Sequence, residues 1–290
     1  MMPRALTVLC LLPLLAFGQW ALDFDEDFAA ASSKKVEPVG PVTLTFEYVS
    51  TYPATITIGG TTYGQPADTS KALVDAGDGV FVPWTSNTIT LLGKRLRFRG
   101  DWRNASGNLR ELFSGAFGGG HNVTMSGGFD FDGAPAGAMF SSTFINCSNL
   151  TGSIPSGLFG DISGAPAGEV FNSTFRGCSN LTGSIPSGLF GDISGAPAAY
   201  MFIFTFRDCS KLTGSIPVGL FGDISGTPAN YMFYGTFYGC SKLTGESALM
   251  PDGTTHLYAQ FSTASGTQCD NCYFGATGLD DYATMPIAWR

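Results

Sequence analysis

Four cysteines, Cys147, Cys178, Cys209 and Cys240, recur at intervals of 31 residues. If the intervening segments stack as coils, neighbouring Cα atoms come within roughly 5 Å, inside the range a disulfide needs. Every thiol would then point the same way. Such a column suits either a redox or metal centre or a buried file of small apolar side chains. The apolar residues that keep the same interval favour the buried file.

Cys269-Asp-Asn-Cys272 is a C-x-x-C. Zinc would need two further ligands at suitable spacing, and the chain supplies only His121 and His256, with no second C-x-x-C. A local disulfide between Cys269 and Cys272 is expected, with free thiols as the alternative. Arg99-Gly100-Asp101 matches a tripeptide that adhesive proteins present to integrins. It closes a strand-like run just before Trp102, which predicts a strand end. Lys94, Arg95, Arg97, Arg99 and Arg103 form the one basic cluster; a solvated strand face is expected, with an acidic glycan partner as the alternative. Asp161, Asp192 and Asp223 repeat in phase. One carboxylate per turn falls short of the roughly six to eight oxygens calcium takes, so these aspartates are expected to tie turns.

No catalytic constellation emerges. Two histidines in unrelated regions are a poor supply for Ser–His or Cys–His chemistry, and no phosphate-binding glycine motif opens a helix. The expectation is a protein that is not an enzyme and carries no cofactor or metal. A net charge of −8 argues against a nucleic-acid partner. Only 13% of residues are charged and 39 of 290 are glycine, which points to an extracellular, turn-rich β architecture.

The elements that position these residues follow from repetition. The 21 residues of Cys147–Ala167 recur unchanged at Cys178–Ala198, and again at Cys209–Ala229 with only Lys211, Val218 and Thr227 different. Phe144, Phe175, Phe206 and Phe237 keep the interval, as do Leu150, Leu181, Leu212 and Leu243, and the series beginning at Phe140, Ile154 and Phe159. In-phase apolar sets at such a period mark a stacked array, in which like residues lie over like and form a continuous core. Leu150–Ile154 alternates and predicts a short strand ended by Pro155. "GLFGDISGAPA" predicts a loop. Phe140, Phe144 and Cys147 fall at i, i+4 and i+7, which predicts a short helix or 3₁₀ segment. The array is expected to fray at its ends. Phe113 and Phe117 keep the phenylalanine pair, with Gly120 at the cysteine place and Val123 at the leucine place, and "LYAQF" (257–261) echoes the pair once more.

Arg4, the apolar run Ala5–Phe17 and the small residues Ala16 and Gly18 have the anatomy of a secretory signal peptide. The expected division is therefore a signal peptide at 1–18, a flexible lead-in at 19–40, an N-terminal β cap at 41–111, the repeats at 112–245 and a C-terminal cap at 246–290. The cap strands are read from "PVTLTFEYVS", "ATITIGGTTY" and "NTITLLGKRLRFRGDW", with a hairpin among them. The mature chain is expected to be exported, extracellular or at the cell surface, with no transmembrane segment.

The pattern M-F-x-x-T-F-x-x-C-S-x-L-x-G-x-I-P, seen at Phe175, Cys178, Leu181, Ile185, Pro186 and their equivalents, resembles the BspA-like leucine-rich repeats of bacterial surface proteins. The match covers roughly 112–261. The 31-residue unit is longer than that family's common one, with "GDISGAPA" as the extra segment, and "NLTGSIP" also resembles plant-type leucine-rich repeats. The resemblance implies a leucine-rich-repeat-like solenoid, mainly β with short helical turns, that is displayed and often adhesive.

Copies differ mainly around the phenylalanine pair, and the differing positions turn aromatic toward the C-terminal end. Tyr200, Phe204, Arg207, Tyr231, Tyr234 and Tyr238 are the expected binding face, with a protein or glycan at a cell surface or matrix as partner. The alternative is an envelope or spacer protein without a discrete ligand.

Overall fold

The computed structural model describes residues 43–60 and 63–290. The expected signal peptide and lead-in, with Cys10, lie outside the described residues. Alternation sets the first strands. In β1 (Leu44–Tyr48) Leu44, Phe46 and Tyr48 face inward, and in β6 (Arg95–Gly100) Leu96 and Phe98 do. Between them lie β2 (Thr55–Thr57), β3 (Ala72–Asp75), β4 (Val82–Pro83) and β5 (Thr88–Thr90). Although β5 and β6 are close in sequence, they do not pair with each other. β5 pairs with β2 alone, while β6 lies between β1 and β3. Leu96 and Phe98 are thereby buried on the inner face.

β7 (Val123–Ser126) runs antiparallel to β1 and parallel to β9 (Leu150–Thr151). The sheet order β4-β3-β6-β1-β7-β9 therefore carries the N-terminal sheet directly into the repeats. A second sheet, in the order β12-β11-β10-β8, comprises β8 (Asp132–Gly133), β10 (Asp161–Gly164), β11 (Asp192–Gly195) and β12 (Asp223–Ile224), all parallel. The chain is mainly β, and its only described α-helix is α1 (Leu257–Gln260).

Successive copies lie one above the next; each is called a rung. The rings of Phe140, Phe171, Phe202 and Phe233 follow at 5.4, 5.5 and 5.7 Å, with planes no more than 8° apart. Those of Phe144, Phe175, Phe206 and Phe237 follow at 5.5, 5.6 and 5.5 Å, all at 6°. A third column runs through Phe129, Phe159, Phe190 and Phe221. The four phenylalanines from Phe144, the four cysteines from Cys147 and the four leucines from Leu150 have no exposed surface.

The segment expected to be helical is not. One residue in four is left-handed: Ala138, Ser142 and Asn146 have φ of 55°, 55° and 60°. Alternate N–H groups take different partners. Those of Phe140, Ser142 and Phe144 donate to Val170, Asn172 and Thr174 of the next rung, and those of Ser141, Thr143 and Ile145 donate three residues back. A four-residue turn thus repeats, and it gives the same i, i+4 apolar spacing as a helix.

Two further expectations exchange places. The predicted Leu150–Ile154 strand shrinks to β9 and, in later rungs, to single bridges, because Gly152, Gly183 and Gly214 are left-handed (φ 76°, 76° and 77°) and turn the chain away. The predicted "GDISG" loop is instead the second sheet. Ile162, Ile193 and Ile224 point in, between exposed aspartate and serine. Gly191 permits the close approach, since a Cβ there would lie 2.1 Å from the Ile162 oxygen.

The ends also differ from expectation. Phe113 stacks on Phe144 at 5.5 Å, and the Leu109 and Phe113 N–H groups donate to Met139 and Thr143. Leu109, not Phe117, completes the first pair, and Ala116, not Gly120, takes the cysteine place. At the other end "LYAQF" contributes α1 and no rung. The N–H groups of Phe233, Gly235 and Phe237 donate instead to Gln268, Asp270 and Cys272. Tyr273 stacks on Phe237 at 5.4 Å, Ala276 takes the cysteine place and Leu279 the leucine place. Trp289, fully buried, closes this end against Phe233 and Tyr273.

Candidate functional site

The cysteine column is occupied structurally. The thiols of Cys147, Cys178, Cys209 and Cys240 donate to the carbonyls of Phe113, Phe144, Phe175 and Phe206, one rung earlier, at 3.0–3.1 Å. The hydroxyls of Thr174, Thr205 and Thr236 do the same to Phe140, Phe171 and Phe202 at 2.9 Å. Burial pushes the Cys147 thiol up to about 12 and raises the other three well above the usual range, so none offers a reactive thiolate. The expected Cys269–Cys272 disulfide is absent, and both are free buried thiols. Cys269 stands in the Phe233 column and Cys272 in the Thr236 column, so the C-x-x-C spacing is the rung's own Phe-x-x-Thr spacing.

Other candidates are bound up in the fold. Arg97 pairs with Asp75 at 2.6 Å, and Arg95 lies 3.7 Å from Glu47. Arg97 and Arg99 lie over the Phe81 ring at 4.8 and 4.0 Å. Asp101 is held by Arg103 through contacts of 2.7 and 2.8 Å, and its N–H donates to Lys71. Arg99–Asp101 is therefore a strand end. Asp161, Asp192 and Asp223 are exposed first residues of strands and tie no turn with their side chains among the described residues.

Glu246, His256 and Asp281 place ligand atoms within 4.8 Å of one another, with no ion present. Ser247 Oγ lies 2.6 Å from Asp281 Oδ2 and 3.0 Å from His256 Nδ1. The hydroxyl proton goes to the carboxylate, so Nδ1 carries the hydrogen that meets Oγ. Nε2 then faces Glu246 Oε2 at 3.7 Å, where a cation could bridge them. A serine nucleophile needs the imidazole between it and the acid. Here buried Ser247 bonds the acid directly, so the group does not form a hydrolytic triad.

The six expected binding residues come together on one side of the third and fourth rungs. Tyr200 and Tyr231 stack at 5.0 Å and 9°. Tyr234 meets Tyr231 and Phe204 edge-on at 5.6 and 5.4 Å. Arg207 lies over Phe204 at 4.9 Å and over Tyr238 at 4.5 Å. Two members escape the sequence reading. Arg176 lies over Phe204 at 5.2 Å, and Phe274 stacks on Tyr238 at 4.9 Å. Aligning "CYFG" (272–275) with "TFRG" (174–177) would have revealed Phe274.

The backbone puts the patch side chains outward at left-handed positions: Tyr200, Phe204 and Tyr231 have φ of 60°, 55° and 55°. Tyr200 and Phe274 are 38% and 45% exposed. At the matching places the rungs on either side are small or polar, Glu169, Asn172 and Ser173 before and Thr267, Asp270 and Asn271 after, with Phe274 the one aromatic outside the two rungs.

Comparison with protein-family models, curated proteins and solved structures finds no match to this chain. No helix among the described residues is long and apolar enough to cross a membrane.

Proposed function

We propose that the protein is an exported, non-catalytic binding protein: a leucine-rich-repeat-like solenoid of the BspA-like kind. In this reading the face of Tyr200, Phe204, Arg207, Tyr231, Tyr234 and Tyr238 contacts a protein or glycan at a cell surface or matrix.

One observation carries the proposal. The rungs are nearly identical everywhere except on this side, and there two rungs alone carry aromatic residues on left-handed backbone. At the Phe204 place other rungs use Ser142, Ser173 and Gly235, and at the place of Tyr200 and Tyr231 they use Ala138 and Glu169, all at positive φ, so the backbone position does not itself call for an aromatic ring. A bulky residue there costs on the order of 1 kcal/mol or more, and the fold alone does not require it. An aromatic centre with arginine, enclosed by a polar rim, is also the composition of a binding interface.

The test is saturable binding to a panel of matrix proteins and glycans, with Tyr231→Ala/Tyr234→Ala as control. Binding that the double variant abolishes is expected. A spacer would give no saturable ligand, and unchanged binding in the variant would place the site elsewhere.

A further inference from the structure

Resting on that reading of the patch, we propose that its partner is a polypeptide presenting a carboxylate to Arg176 and Arg207, and not a carbohydrate. Sugars bind aromatic side chains through the open face of the ring. Here much of that face area is already used along the stack. Tyr200 and Tyr231 cover one another. Tyr238 is held between Arg207 of the rung before and Phe274 of the rung after. Phe204 lies against Gly235, where an added Cβ would come 2.7 Å from its ring, and carries both guanidinium groups. Tyr200 and Phe274, at the ends of their stacks, keep one ring face each and are 38% and 45% exposed; beside them the patch offers tyrosine hydroxyls and arginine N–H groups. Such a surface suits peptide groups and side chains, as tyrosine-rich protein-binding surfaces do.

The charge selects the peptide. Arg176 has no ion-pair partner among the described residues. Arg207 has only Asp208, 3.4 Å from Nε, and Nε makes no hydrogen bond. Neither guanidinium donates a hydrogen bond to the protein among the described residues. Of the other acids near this side, Glu169 faces Arg110 at 3.5 Å, and Asp270 lies two rungs beyond Arg207. Two cations thus stand against one acid, paired with Arg207 alone, within an aromatic patch. Arg207 Nε is buried, so the partly exposed Nη N–H groups are the ones offered to a carboxylate.

The experiment selects binders to the protein from a phage-displayed library of random dodecapeptides and, separately, probes a printed glycan array. Selected peptides are synthesised and titrated by biolayer interferometry against the wild type, Arg176→Gln/Arg207→Gln and Tyr231→Ala/Tyr234→Ala, each shown to be folded by its melting transition. The inference predicts Asp- or Glu-containing peptides. Their affinity falls about tenfold or more when the acid becomes the amide, or when the arginine pair becomes glutamine. No saturable glycan is expected. Peptides that bind the glutamine variant as tightly as the wild type overturn the proposal. A glycan whose binding is lost in the tyrosine variant also overturns it while leaving the patch as the binding face. Failure of both libraries removes the patch itself.

Discussion

The thiol of Cys178 donates to the carbonyl oxygen of Phe144 at 3.0 Å, across the boundary between two rungs. The same carbonyl accepts the Cys147 N–H at 3.2 Å, so both of its lone pairs are used. A column of cysteines thus satisfies a column of carbonyls in a core that excludes water. At the two ends of the stack, Ala116 and Ala276 stand in the cysteine place.

Native protein should therefore be unreactive to a thiol reagent at Cys147, Cys178, Cys209 and Cys240. Unfolded without reductant, it should release six thiols counted from Cys147 to Cys272. Four would mean that Cys269 and Cys272 are bridged. Cys178→Ala should cost about 1–3 kcal/mol in urea unfolding through lost volume and one lost hydrogen bond to the Phe144 carbonyl.

Burial raises these thiols, Cys147 to about 12. Between the usual thiol value and the raised one, the unfolded chain loses protons that the folded chain keeps. Stability is therefore full below about pH 8.5 and falls as the pH rises above it. Each column thiol contributes a slope of up to about 1.4 kcal/mol per pH unit. Cys209→Ala should flatten the alkaline limb by that amount in unfolding curves at pH 8, 9 and 10; an unchanged limb would count against burial.

Phe175 and Phe204 should separate stability from binding. Phe175 has no exposed surface and lies between Phe144 and Phe206, so Phe175→Ala should cost about 3–5 kcal/mol. Phe204 lies on the outside in a left-handed conformation. Phe204→Gly should leave the melting temperature nearly unchanged or raise it, yet weaken ligand binding.

Gly235→Ala tests the support beneath the patch. The position has φ 59° and a Cβ there meets the Phe204 ring at 2.7 Å. The expected result is a loss of about 1 kcal/mol and a displaced Phe204, seen as reduced affinity. A smaller loss of stability for Gly235→Ala in the Phe204→Gly background, which lacks the ring the Cβ meets, would confirm the collision.

Much of this was legible in the residues, but unevenly. The interval shared by Phe144, Cys147 and Leu150 marked the core columns, because like-over-like packing needs identical side chains in phase. The location of the patch was legible because Tyr200 and Tyr231 break an otherwise repeated pattern. The local backbone was not. A helix and a four-residue turn place Phe140 and Phe144 on the same side, and nothing in Ala138 or Tyr200 announces a positive φ. Asp161-Ile162-Ser163 alternates as a strand should, but the glycines and proline around it suggested a loop. The last rung was hidden because "QCDNCYFGATGL" shares only Gly275 and Leu279 with the equivalent "VFNSTFRGCSNL" of the second copy, and its cysteines suggested a bridge.

The central claim is that like residues of successive copies pack on one another. Its most direct test is deletion of one copy in phase, residues 148–178, against an out-of-phase deletion of 148–176, each followed by thermal unfolding. The in-phase deletion joins Cys147 to Ser179 and restores every column. It should give one cooperative transition with a midpoint lowered by about 5–10 °C, while the 29-residue deletion should not fold. Equal tolerance of both deletions, or equal collapse, would contradict the stacking.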